Sequence, residues 1–135
     1  MQAPRCAIIL HSDLAPGKAT NAAAVIALTL GQRHPALVGE PLQDADACPF
    51  PGLIPYGIPV LAASHEEMDA MRSRCAEAVC DLVLFPEEGQ ATTDYAALRA
   101  AMSETPAREW RLLGMALVGE KQSVRKLTAK LKLFS

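Results

Sequence analysis

Short unbroken apolar runs alternate along this chain with stretches whose apolar residues recur every third or fourth position. "RCAIILH" (5–11) is long enough for a buried strand, and Pro16 and Gly17 in "DLAPGK" break it. "ATNAAAVIALTLGQRH" (19–34) has helical spacing, with Ala22, Val25, Ile26, Thr29 and Leu30 on one face, and Gly31 and Pro35 ending it. "IPVLAAS" (58–64) predicts a second strand. Ser64 and Glu67 then form a capping box opening a helix to about Cys80, with Met68, Met71, Cys75 and Val79 inward. "DLVLF" (81–85) predicts a central strand, and "PEEGQATT" (86–93) a turn. Residues 94–104 form a helix with Tyr95, Leu98 and Met102 inward, and "TPAR" adds one more turn. "WRLLGMALVG" (110–119) is the last strand, and "EKQSVRKLTAKLKLF" closes as a helix with Val124, Leu127 and Leu131 inward.

Strands alternating with helices predict one α/β domain over residues 1–135, in three layers around a mostly parallel sheet. Residues 35–57 interrupt the alternation with five prolines and three glycines, so turns are expected there, with a short strand at "LVG" (37–39).

Composition changes this picture in three ways. Aromatic residues are 4% of the chain, so Leu, Val, Ile, Met and Ala must fill the core. The N-terminal run is interrupted by Asp13 and reads as a strand rather than a signal peptide, and no run spans a bilayer, so a cytoplasmic protein without a membrane partner is expected. Cys6, Cys48, Cys75 and Cys80 form no CxxC pair and are expected as free thiols; with His11, His34 and His65 scattered, no metal or cofactor is expected. The net charge of −2 speaks against a nucleic-acid partner. Its distribution is uneven: residues 105–135 carry seven bases and two acids, either a basic face or a solvated helix side.

Ligands on α/β sheets sit outside the carboxyl ends of strands. That rule selects Asp13 to Lys18, Ser64 to Glu67, and Glu87 to Gly89. Gly17-Lys18 is not a phosphate loop, because Ser12 and Ala19 occupy positions that motif reserves for Gly and Ser/Thr. A lysine at a helix start opposes the macrodipole, so Lys18 is either a surface accident or aimed at an anion. Asp13 is a turn-former or a site residue, and Asn21 binds a neighbouring backbone group or a ligand. Glu87 and Glu88 could work as acid and base; Asp44 and Asp46 read as turn residues.

"IILHSDL", "NAAAV", "ALVG" followed by "DADA", "IPVLAAS" and "KLTAKLKL" together resemble the type II peptidyl-tRNA hydrolase fold group. Within it they resemble most an uncharacterised bacterial domain of unknown function, DUF2000. The resemblance spans nearly the whole chain. It implies a three-layer α/β/α domain with a four-stranded mixed sheet, the last strand antiparallel, and a homodimer. The hydrolases cleave a peptide ester from tRNA without metal or cofactor. Their Asp-Leu is matched by Asp13-Leu14 and their Gly-Lys by Gly17-Lys18, across a loop about two residues shorter. Their Gln and His fall on Ala22 and Val25. Their Asp falls on Glu87, with Gly89 kept, and their Thr on Ala91, beside Thr92 and Thr93.

The expectation is therefore a small anionic or carbonyl ligand in a pocket with Lys18, Asp13 and Glu87 as catalytic candidates and Gly17, Asn21 and Gly89 as ligand-binding ones. Glu87 would be the base, Lys18 its electrostatic partner, and the 35–57 loop the cover. Ester hydrolysis on tRNA and a non-catalytic dimeric interaction module are the alternatives.

Overall fold

Arg5–His11, the first apolar run, is strand β1 and is buried on both faces. In the computed structural model, which describes residues 4–77 and 80–135, it lies at the centre of a five-stranded mixed sheet. The other elements are α1 (Pro16–Arg33), β2 (Leu42–Gln43), β3 (Pro49–Phe50), β4 (Val60–Ala63), α2 (His65–Glu77), β5 (Cys80–Pro86), α3 (Glu88–Ala91), α4 (Tyr95–Ser103), β6 (Leu112–Gly119), α5 (Lys121–Thr128) and β7 (Lys132–Leu133). The sheet order is β5-β6-β1-β4-β7, and β2 and β3 form a separate hairpin. Cys6, Ile8 and Leu10 face Ala19, Ala22, Ile26 and Leu30 of α1. Ala7 and Ile9 face Met68, Met71 and Cys75 of α2 with Val124 and Leu127 of α5. Alternate residues of one strand thus enter two cores, which gives the expected three layers.

The sheet has five strands where four were expected. The fifth, β7, pairs antiparallel with β4 in a stretch read as helix. Thr128 ends α5, and Leu131, expected on its inner face, is half-buried beyond the helix. The sheet is mixed rather than mostly parallel: β4 runs parallel to β1, while β6 is antiparallel to both β1 and β5. "DLVLF" is an edge strand, not a central one, since β5 pairs with β6 alone. Its run is unbroken because helices α1 and α2 cover it; apolar residues on both faces report cover, not centrality.

Helix α1 begins at Pro16, three residues before the expected start at residue 19. Proline is well suited to the first helical turn, where its missing N–H has no partner to lose. The expected inner residue Val25 is 43% exposed; Ala19 takes its place in the buried stripe. The stripe on α2 is as expected, although Val79 lies outside the described residues, and Cys80 opens β5. On α4, Leu98 and Met102 are half-buried, but Tyr95 is 73% exposed. The expected turn after strand three includes the short helix α3, and "TPAR" yields a 3-10 turn at Ala107–Glu109.

The cysteine expectation is half overturned. Cys75 and Cys80 form a disulfide across the α2–β5 connection, where their Cα atoms approach to 5.7 Å; Cys6 and Cys48 are free. A spacing of five lies outside the CxxC pattern, but a helix-to-strand reversal brings these positions together. The thiols therefore give no argument for a reducing compartment.

Residues 35–57 contain a 3-10 turn at Pro35–Leu37 instead of a strand at 37–39. The Asp44 carboxylate accepts from the Asp46 and Cys48 amides, the turn role expected for it. The Gly39 amide donates to the Leu53 carbonyl at 2.9 Å, and a Cβ on Gly52 would collide with the carbonyls of Gly39 and Glu40. Leu37, Ile54 and Ile58 anchor the segment in the α1-side core, and Tyr56 lies against Arg5. These anchors lie towards the amino end of β1, away from Lys18, so they do not support the expected cover.

Candidate functional site

Since β1, β4 and β5 point the same way, their carboxyl ends and the amino end of β6 meet along one margin of the sheet. The Ser12 amide donates to the Ala63 carbonyl at 3.0 Å, prolonging the β1–β4 pairing past both strands. Ser64 then caps α2: its amide donates to Glu67 Oε1 at 2.9 Å and its Oγ accepts from the Glu67 amide at 3.1 Å. This box fixes His65 as the first residue of α2, beside His11 at the end of β1. Their rings stack with centroids 3.9 Å apart. The Asp13 amide donates to His11 Nδ1 at 3.3 Å.

His65 lines a cavity of about 160 Å³ with Met68, Asp69, Arg108, Trp110 and Arg111. Its Nε2 is buried and, among the described residues, has no hydrogen-bond partner. Burial lowers the His65 pKa, and His11 and Arg111 lower it further, while the nearby Leu112 backbone and the Asp69 carboxylate pull the other way. His65 is therefore neutral at neutral pH and can donate or accept one hydrogen bond at the cavity wall. Trp110 is fixed there by its indole N–H, which donates to the Thr105 carbonyl at 2.8 Å. A bulge adjoins the cavity: the β5–β6 register passes from Phe85↔Gly114 to Pro86↔Leu112, leaving Leu113 unpaired.

The expected site residues divide between this cavity and the start of α1. Asp13 is exposed at the end of β1. Glu87 is exposed, and its Oε2 lies 3.9 Å from Arg111 Nε, so the cation beside it is Arg111 and not Lys18. Lys18 is exposed in the first turn of α1; its carbonyl accepts from Gln90 Nε2 at 2.9 Å, and the same nitrogen donates to Asn21 Oδ1 at 3.3 Å. Asn21 thus ties α1 to α3. Gly17 has open space where a side chain would be, whereas a Cβ on Gly89 would strike the Phe85 ring. Sequence reasoning selected the Ser64 to Glu67 stretch that holds His65 but gave His65 no site role, and it missed His11, Gln90 and Arg111. The two histidines are 54 positions apart in sequence (65 − 11), yet each lies at the end of a strand, and those strands are parallel neighbours.

Residues 4–135 match the family described as "Protein of unknown function (DUF2000)". The chain belongs to this family. A solved structure of a protein of unknown function from Agrobacterium tumefaciens is similar over 100% of both chains, with a TM-score of 0.86 and 28% identity. No curated protein matches. In this member of DUF2000 the described residues contain no group of three or more His, Cys, Asp or Glu side chains able to hold a metal. No described helix is long and apolar enough to cross a membrane. Beside the Asp69 and Glu109 carboxylates, the cavity wall carries two guanidinium groups and a neutral imidazole, groups that recognise carboxylate or carbonyl oxygen.

Proposed function

We propose that this DUF2000 protein binds a small anionic or carbonyl compound at the carboxyl margin of β1, β4 and β5. The observation that carries this reading is the buried, unpartnered Nε2 of His65 beside Arg108 and Arg111 on the cavity wall. A buried polar atom without a partner costs about 1–3 kcal/mol, and a ligand oxygen would remove that cost. Arg111 would hold the ligand's charge. Lys18, Asp13, Gly17 and Asn21, with Glu87 and Gly89, would be the contacts of a longer ligand that extended past Arg111 towards the α1–α3 junction. The type II peptidyl-tRNA hydrolase-like fold is part of the same proposal, supported by parallel β1 and β4 flanked by antiparallel β6 and by Gly17-Lys18 at the start of α1.

Thermal unfolding of the wild type against a panel of mono-, di- and keto-carboxylates tests it. A stabilising compound should lose roughly tenfold in affinity with Arg111→Ala, the loss expected for one charge-assisted hydrogen bond. Equal stabilisation of wild type and Arg111→Ala by every active compound would refute it.

A further inference from the structure

At the opposite margin of the sheet a second polar constellation has nothing to do with the His65 cavity. The chain leaves β6 at Gly119, which is paired with Arg5 of β1, and enters α5 at Lys121. Arg5, Lys121 and Arg125 thereby converge on a cleft of about 340 Å³ whose walls also include Cys6, Tyr56 and Thr128. Arg5 stacks over Tyr56, with its guanidinium carbon 3.3 Å from the ring centroid, which seats that charge at the cleft.

No carboxylate is among the lining residues. Lys121 and Arg125 enter no ion pair among the described residues. Cys6 supplies no negative charge, because burial raises its thiol pKa. Glu120, at the helix N-cap, is exposed and makes no side-chain capping hydrogen bond.

The helix gains nothing from Lys121, although Arg125, in its last turn, suits the macrodipole. Lys121 repels Arg125 four residues on, and as a cation in the first turn it opposes the macrodipole. Three cations around a concavity free of acids match a multiply charged oxyanion better than a single carboxylate. The cleft is in the size range of small-molecule pockets, and the half-exposed Tyr56 ring gives it an apolar wall. We infer that this cleft binds the phosphoryl group of a small phosphorylated molecule, with Lys121, Arg125 and Arg5 on the oxygens and Tyr56 against the organic portion.

Titration of the full chain with inorganic phosphate and with glycerol phosphate, against sodium chloride at matched ionic strength, tests this. Both ligands should raise the melting temperature and shift the backbone amide resonances of residues 121–125. Lys121→Ala/Arg125→Ala should melt close to wild type without ligand, since losing the like-charge pair and gaining alanine's helix propensity offset the last-turn charge that Arg125 gives up. Its affinity for both ligands should fall by at least roughly tenfold. Shifts at residues 121–125 that the double variant loses, with the Trp110 resonances unmoved, separate this cleft from the other margin. The inference is overturned if the double variant keeps the response, if wild type responds to phosphate no more than to chloride, or if inorganic phosphate binds and the ester does not.

Discussion

Asp81 shows how much one side chain organises. The Arg33 guanidinium grips its carboxylate at 2.8 and 2.9 Å, and His34 Nε2 lies at 2.7 Å, so the end of α1 is pinned to β5. The hydrogen bond from Arg33 lowers the Asp81 pKa to about 2, against opposition from burial, with His34 adding to the lowering. Because the folded-state value lies below the unfolded one of 3.8, this stability is present above pH 3.8 and lost as pH falls towards about 2. With the carboxylate partly open to solvent, Asp81→Asn should cost about 1 kcal/mol at neutral pH. It should also flatten the acid limb of a urea-unfolding series across that window. The His65 pKa is likewise lower folded than unfolded, so its contribution is present above 6.5 and fades as pH falls towards the folded value. Urea midpoints at about pH 7.5 and about pH 5.5 should therefore diverge more in wild type than in His65→Gln. Neither partnership was legible in the sequence: nothing local couples Arg33 to Asp81 or His11 to His65, and only the strand order creates the pairs.

The elements themselves were largely legible where periodicity and turn chemistry agree. β1, β4, α2 with its capping box, and β6 stand where pattern reading puts them, because each is apolar on every face that packs. Failures came where one pattern serves two structures. An unbroken apolar run marks two covered faces, so β5 was misplaced to the centre, and "KLKLF" was absorbed into the preceding helix although its alternation has period two. Gly114 shows a constraint that periodicity does not carry. A Cβ there would stand 2.9 Å from Leu10 Cδ2 and 3.0 Å from both Ile26 Cδ1 and the Ile9 carbonyl oxygen. Close approach of α1 to the sheet requires this glycine. Gly114→Ala should destabilise the fold by roughly 1–3 kcal/mol in chemical denaturation, the usual cost of overpacking.

At the scale of the molecule, the sheet separates two chemistries: the carboxyl margin gathers His11, His65 and Arg111, and the amino margin gathers Arg5, Lys121 and Arg125. The Cys75–Cys80 bridge ties α2 to the start of β5, level with Gly119 at the amino margin. Thiol titration of the unfolded, unreduced protein should count two free cysteines of the four, Cys6 and Cys48. Reduction should lower stability by roughly 2 kcal/mol, as expected for so short a closed loop. The proposed site was legible only as a margin: the rule of strand carboxyl ends selects the margin on which the cavity lies, but the cavity walls come from the start of α2 and the segment leading into β6, far apart in sequence. The single tryptophan, Trp110, is in that cavity wall and offers a direct readout. Titrating keto- and dicarboxylates into wild type and Arg111→Ala while following Trp110 fluorescence tests the proposed site most directly. Binding at the carboxyl margin predicts a saturable change in wild type, weakened roughly tenfold in Arg111→Ala. A ligand that stabilises the fold while leaving Trp110 unchanged, or that binds both proteins alike, would contradict it.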